Sequence, residues 1–111
     1  MNHARWKLAR EKELADGRTE PLEVQAERAE IRLAMAFAKA AYDRRKELGL
    51  SQSEVADRAG LTQAKVSRVE GADAVPTLPL LRRLARALDA SLNIALDDEH
   101  EEVTFVAHSA A

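Results

Sequence analysis

The chain predicts a mainly α fold closed by a short C-terminal β-hairpin, on three observations. Apolar residues recur at helical spacing from residue 31 to residue 88. Two short helices are marked off by capping residues and Gly60 within twenty residues. After Ala90 the apolar period changes from helical to two. The 111 residues are rich in Ala, Leu, Arg and Glu and poor in aromatics, Gly and Pro, as suits one helical core with an appendage.

The first twenty residues are charged and mixed, and one short helix is expected over residues 4–15, closed by Asp16-Gly17. Pro21 suits the first turn of a long helix reaching about residue 48, because a first-turn proline loses no hydrogen bond. Phe37, Ala41 and Leu48 form one stripe on that helix, and Ile31, Met35 and Tyr42 a second. Two stripes imply that more than one neighbour covers it.

Three short helices should come next. Ser51 and Glu54 have capping-box spacing, and Gly60 is placed to close that helix in the left-handed conformation. Thr62 can cap a second helix, Gln63–Glu70, which Gly71 ends. Thr77 can cap a third, with Pro79 tolerated in its first turn and Leu80, Leu81, Leu84 and Leu88 facing inward. In the hairpin, "SLNIAL" alternates Leu92, Ile94 and Leu96, "EVTFVAH" alternates Val103, Phe105 and Ala107, and "DDEHE" between them reads as a turn. Two strands alone are marginally stable, so the hairpin must pack on the helices or pair with another chain.

Several classes are disfavoured. There is no cysteine, hence no disulfide framework or thiolate metal site. No apolar run is long enough to span a bilayer and the N-terminus lacks a signal-peptide core, so a cytoplasmic protein without membrane contact is expected. His3, His100 and His108 sit near the ends. Asp98, Glu99, His100 and Glu102 read as a solvated acidic turn rather than a metal site, and no phosphate loop or nucleophile elbow is present. Neither an enzyme nor a cofactor is expected. Net charge is −2, but its distribution is uneven. Arg44, Arg45, Lys46, Arg58, Lys65, Arg68, Arg82, Arg83 and Arg86 make the middle basic, while residues 97–102 are acidic.

Only "GLT" joins the helices Gln52–Ala59 and Gln63–Glu70, the spacing of a helix-turn-helix. The steep crossing needs a small residue at the contact, met by Ala56, and a residue free to take positive φ at the corner, met by Gly60. It also needs apolar residues toward a shared core, met by Val55, Ala59, Leu61, Val66 and Val69. A helical hairpin with a merely solvated face would not require all of these together.

The run "RRKELGLSQSEVADRAGLTQAKVSRVEG" with "TLPLLRRLARALDASL" resembles the Cro/Xre-type helix-turn-helix family over about residues 37–92. The resemblance implies a lambda-repressor-like helical domain over residues 37–90, whose second motif helix enters the DNA major groove by its N-terminal end. Carried over, Gln63, Ala64, Lys65 and Arg68 would face base edges: Gln63 adenine, Lys65 or Arg68 guanine, the Ala64 methyl thymine. Gln52, Thr62 and Ser67 would face phosphates, Gln52 with the help of a helix N-terminus. An Arg45–Glu70 ion pair tying the first helix to the recognition helix is also implied. The sequence departs from the family in "ADAVPT", residues 72–77, where relatives often carry phosphate-binding cations. One short recognition helix reads few base pairs, so a homodimer on a palindrome with half-sites about 34 Å apart is expected. The hairpin, residues 91–111, is either the dimer element or a cover for its own core.

The flanks resemble HigA-type antitoxins: a charged arm opening "MNHARWK", a long helix into the motif, and a short hairpin. That resemblance implies a partner, a small basic RelE-like ribonuclease toxin, and repression of the chain's own operon. Residues 1–36 would then face the toxin, with Trp6, Leu8 and Leu14 on an amphipathic helix as anchors. Trp6 packed back on the long helix, or an arm that extends DNA contact, stand as alternatives. A stand-alone Cro/Xre-type repressor is the alternative to the antitoxin, and a protein-binding module that no longer reads DNA is a further one.

Overall fold

The computed structural model describes residues 21–108. Among them the order is α1 (Leu22–Glu47), α2 (Gln52–Ala59), α3 (Gln63–Glu70), α4 (Leu78–Ala87), β1 (Ala90–Leu96) and β2 (Glu101–Ala107). The fold is mainly α with a C-terminal antiparallel hairpin, as the sequence predicts. The helix expected over residues 4–15, with Trp6, Leu8 and Leu14, lies outside the described residues. The chain divides between Glu30 and Ile31 into two units, and the larger, C-terminal one holds the hydrophobic core.

On α1, Ala34, Phe37, Ala38 and Ala41 recur at three- and four-residue steps and are buried. The helix stops at Glu47 because Gly49 turns left-handed, φ 70°, and the Leu50 N–H reaches back to the Arg45 carbonyl at 3.1 Å. The second stripe departs from expectation. Ile31 and Met35 are each 58% exposed and Tyr42 45%, so no neighbour among the described residues covers that face. Tyr42 instead carries cations over its ring, Arg45 at 5.2 Å and Lys46 at 5.6 Å from the centroid.

A complete capping box starts α2: Ser51 Oγ accepts from the Glu54 N–H and the Glu54 carboxylate from the Ser51 N–H. The hydrogen bond from the Ser51 backbone N–H, with a smaller contribution from the Ser51 hydroxyl, holds the Glu54 carboxyl below its ordinary pKa. Gly60 ends the helix at φ 68°, with the Leu61 N–H bonded to the Ala56 carbonyl at 2.9 Å. A Cβ at Gly60 would meet nothing within 4 Å. The glycine is therefore required by its dihedral angle and not by crowding. Gly60→Val is expected to cost about 1–2 kcal/mol through φ alone, with Gly60→Asn milder. A thermal melt of the valine variant superimposing on the parent would contradict the left-handed corner.

Thr62 caps α3, its hydroxyl accepting from the Lys65 N–H at 3.1 Å. Gly71 ends the helix at φ −85°, in the right-handed region, and the left-handed residue is Ala72, φ 56°. What Gly71 supplies is closeness, because a Cβ there would lie 3.2 Å from the Ser67 carbonyl oxygen. Thr77 caps α4 by accepting from the Leu80 N–H at 3.3 Å. Leu81, Leu84 and Leu88 are buried and Leu80 packs on the core edge. That core is shared by Ala41 of α1, Val55, Ala56 and Ala59 of α2, Val66 and Val69 of α3, and Leu84 and Ala87 of α4.

Arg44 departs from the surface role that its place in the basic segment implies. Its buried guanidinium donates to the Leu88 carbonyl at 2.9 Å and the Asp89 carbonyl at 3.1 Å, closing the C-terminal end of α4. Asp89 takes φ 49° and turns the chain into β1. The hairpin register sets Leu92 opposite Phe105 and Ile94 opposite Val103, one apolar face. At its base β1 packs on α4 and Phe105 on the core, while Ile94 and Leu96 toward the tip are exposed. A clasp holds the base: the His108 N–H donates to the Asp89 carbonyl at 3.1 Å, and the ring bridges Asp89 Oδ1 at 3.0 Å and Ser91 Oγ at 3.2 Å. Nearer the tip, Arg32 of α1 makes a bidentate pair with Glu101.

Candidate nucleic-acid interface

The face of α3 is set by its helical period. Val66 and Val69 turn into the core, which leaves Gln63 and Ser67, four residues apart, beside Ala64 and Arg68, also four apart, with Lys65 at the edge. All five are exposed. Among the described residues no acidic group pairs with Lys65 or Arg68. The face thus offers an amide, a methyl, a hydroxyl and two unpaired cations from one rigid helix.

Behind this face runs a chain of polar contacts from α1 to the start of α3. Arg45 and Glu70 form a bidentate pair, Nε–Oε2 2.7 Å and Nη2–Oε1 2.8 Å, with side chains only 8% and 7% exposed. The third guanidinium nitrogen donates to the Leu50 carbonyl at 2.9 Å. The hydrogen bond to Glu70 raises the Arg45 pKa against the opposing effect of burial. Gln52 Nε2 then donates to Glu70 at 3.2 Å, and Gln63 Nε2 donates to Gln52 Oε1 at 2.6 Å. Gln63 therefore projects from α3 with its side chain already oriented.

The donors left over are compatible with an anionic ligand. Gln52 sits half-buried at the N-terminus of α2 and retains one amide N–H after its bond to Glu70. The Thr62 hydroxyl accepts from Lys65 N–H and keeps its own proton to donate outward. Ala56 is buried where α2 meets the core, and Gly60 makes the corner.

Sequence reasoning missed the coupling of Gln52 to Gln63; two glutamines flanking the corner were the available signal. It also overcounted cations, because Arg44 and Arg45 are both buried. Arg82, Arg83 and Arg86 remain exposed along α4. Among the described residues no group of three or more acidic or histidine side chains is arranged to hold a metal, and no helix is long and apolar enough to cross a membrane. The turn residues instead bond locally, Asp97 Oδ1 accepting from the Glu99 and His100 N–H groups at 2.8 Å each.

A family model described as the helix-turn-helix domain matches residues 25–96, well over half of the chain. The chain belongs to the helix-turn-helix domain family. Within it, this helix-turn-helix protein is of Cro/Xre-like type. Over 53 residues it is 49% identical to "Antitoxin HigA1" of Mycobacterium tuberculosis, a match spanning 48% of this chain and 36% of the relative. It is 36% identical over 58 residues to "HTH-type transcriptional regulator SinR" of Bacillus subtilis, spanning 51% of this chain and 52% of that one. An uncharacterized HTH-type transcriptional regulator of Methanothermobacter thermautotrophicus is 46% identical over 46 residues, 41% of this chain and 67% of the relative. The match thus spans about a third of the HigA1 antitoxin and half of SinR.

Proposed function

We propose that this helix-turn-helix protein is a sequence-specific DNA-binding transcription regulator, and that it acts as the antitoxin of a type II toxin–antitoxin pair. The observation that carries DNA reading is the exposed face Gln63, Ala64, Lys65, Ser67 and Arg68, held on a helix whose other side is core. Gln63, Ala64, Lys65 and Arg68 meet base edges; Gln52, Thr62 and Ser67 meet phosphates. Two copies bind a palindrome, with the hairpin of residues 91–111 as the dimer element and residues 37–90 as the reading domain. The open apolar tip at Ile94 and Leu96 supports that use of the hairpin.

Arg68→Ala is expected to weaken binding to the best operator by about 1–3 kcal/mol and to relax preference at one base position. Unchanged affinity for that operator would remove Arg68 from base reading.

The antitoxin assignment is supported by the likeness to HigA1. In this reading residues 1–36 bind a small basic RelE-like toxin, and the protein, alone or with its toxin, represses its own operon. The likeness to SinR favours a stand-alone repressor as the second reading. Purifying the full chain from its source, beside a form lacking residues 1–20, separates the two. A small basic protein in stoichiometric amount, lost with the arm, is the antitoxin result. Recovery of the chain with DNA alone returns the stand-alone repressor, and loss of operator binding on trimming assigns the arm to DNA.

A further inference from the structure

If the exposed face of α3 reads bases, something must hold the duplex backbone. The segment between α3 and α4, residues 71–77, contains no Lys or Arg. Cations do occur close to the same corner, on α4. Arg82, Arg83 and Arg86 stand at three- and four-residue steps on one exposed helix face and line an open groove with Gly60 and Pro79. Arg83 Nη1 lies 3.4 Å from the Gly60 carbonyl oxygen and donates to it. Gly60 is two residues before the α3 cap Thr62 and three before Gln63, so this groove borders the end of α3 that leads into the major groove.

The three arginines differ from the other basic residues around them. Arg44 and Arg45 are consumed internally, by carbonyls and carboxylates. Among the described residues no carboxylate pairs with Arg82, Arg83 or Arg86, and the guanidinium groups of Arg82 and Arg86 have no hydrogen-bond partner. A cluster of three guanidinium groups with no neutralising acid repels itself, and a polyanion relieves that repulsion. Guanidinium forks match phosphate oxygens in pairs, without regard to base.

We propose that Arg82, Arg83 and Arg86 form a phosphate-binding strip for double-stranded DNA, taking the part that the loop of residues 71–77, which holds Asp73 and no cation, cannot. The strip rests on the DNA-reading assignment of α3. It adds affinity and register, and no sequence preference.

Counterion release gives a readout specific to this role. Each phosphate contact contributes about 0.9 to the slope of log K against log salt concentration. The probe is a mixed-sequence DNA duplex titrated with the full chain at several salt concentrations, followed by fluorescence anisotropy. Arg82→Gln with Arg86→Gln is expected to lower the slope by nearly two relative to the parent, with an unchanged melting temperature. Arg83→Lys keeps the charge and is expected to keep most of the slope. A double variant that folds like the parent and binds with the parent's slope overturns the strip while leaving DNA reading by α3 intact. A parent chain with no salt-dependent binding to any duplex overturns the reading on which the strip rests. Parent binding with no slope change, but loss of association with an acidic protein, assigns the arginines to that partner and likewise overturns the strip.

Discussion

Glu70→Ala is expected to lower stability by about 3–5 kcal/mol, the largest effect of any single polar change in the described chain. The reason is what remains behind. Arg45 would keep its charge, with its side chain 8% exposed and two of its three bonded groups stripped of an acceptor. The Leu50 carbonyl and the Tyr42 ring would be its remaining partners. Replacing both members, Arg45→Met with Glu70→Leu, removes the orphan charge and is expected to recover much of the loss. Chemical denaturation of Arg45→Met, Glu70→Leu and the double variant closes the cycle. Equal losses that simply add would mean that the pair is not coupled. The same change has a second effect, on DNA binding. Gln52 loses its acceptor, so the Gln52–Gln63 bond loses its anchor, and under the proposed base contact of Gln63 discrimination there should fall further than stability alone explains.

Leu84→Ala is the second large effect, about 2–5 kcal/mol. Leu84 is 1% exposed and belongs to the core cluster to which all four helices contribute, so the space it leaves lies inside that shared core. Relaxation to fill such a space requires several elements to move at once, which puts the expectation toward the upper part of that range. Leu84→Met, which keeps the volume, should cost under about 1.5 kcal/mol. A fall in melting temperature no greater for alanine than for methionine would contradict the packing described.

What could be read in the sequence divides by distance along the chain. The capping box at Ser51 and Glu54, the Gly60 corner and the Thr62 cap are decided by residues within four of each other, and such features are legible from spacing alone. The hairpin was legible because its two faces alternate. Arg44 was not: its backbone acceptors lie 44 and 45 residues away, so composition placed it with the surface cations. Arg45–Glu70, separated by 25 residues, was accessible only through family resemblance and not from spacing. The stripe of Ile31, Met35 and Tyr42 has the pattern of a covered face but remains exposed, since periodicity indicates apolarity and not which surface answers it. At Gly71 the sequence indicated the helix end correctly, but the left-handed turn fell on Ala72 because the close approach to Ser67 claims the glycine.

The tie between Arg44 and the end of α4 also bears on the order in which the molecule assembles. Beside the local Glu47 carboxylate, the acceptors of that guanidinium are the carbonyls of Leu88 and Asp89. A nascent chain that has emerged through the whole corner of α2 and α3 still lacks them. Until Asp89 has been added, burying the Arg44 side chain would leave two of its three bonded nitrogens without an acceptor. Folding during synthesis therefore waits for α4 to finish, and only then can α1 lock in place. Amide hydrogens of α1 near Arg44 and those at the α4 terminus should accordingly exchange with solvent in a single cooperative opening.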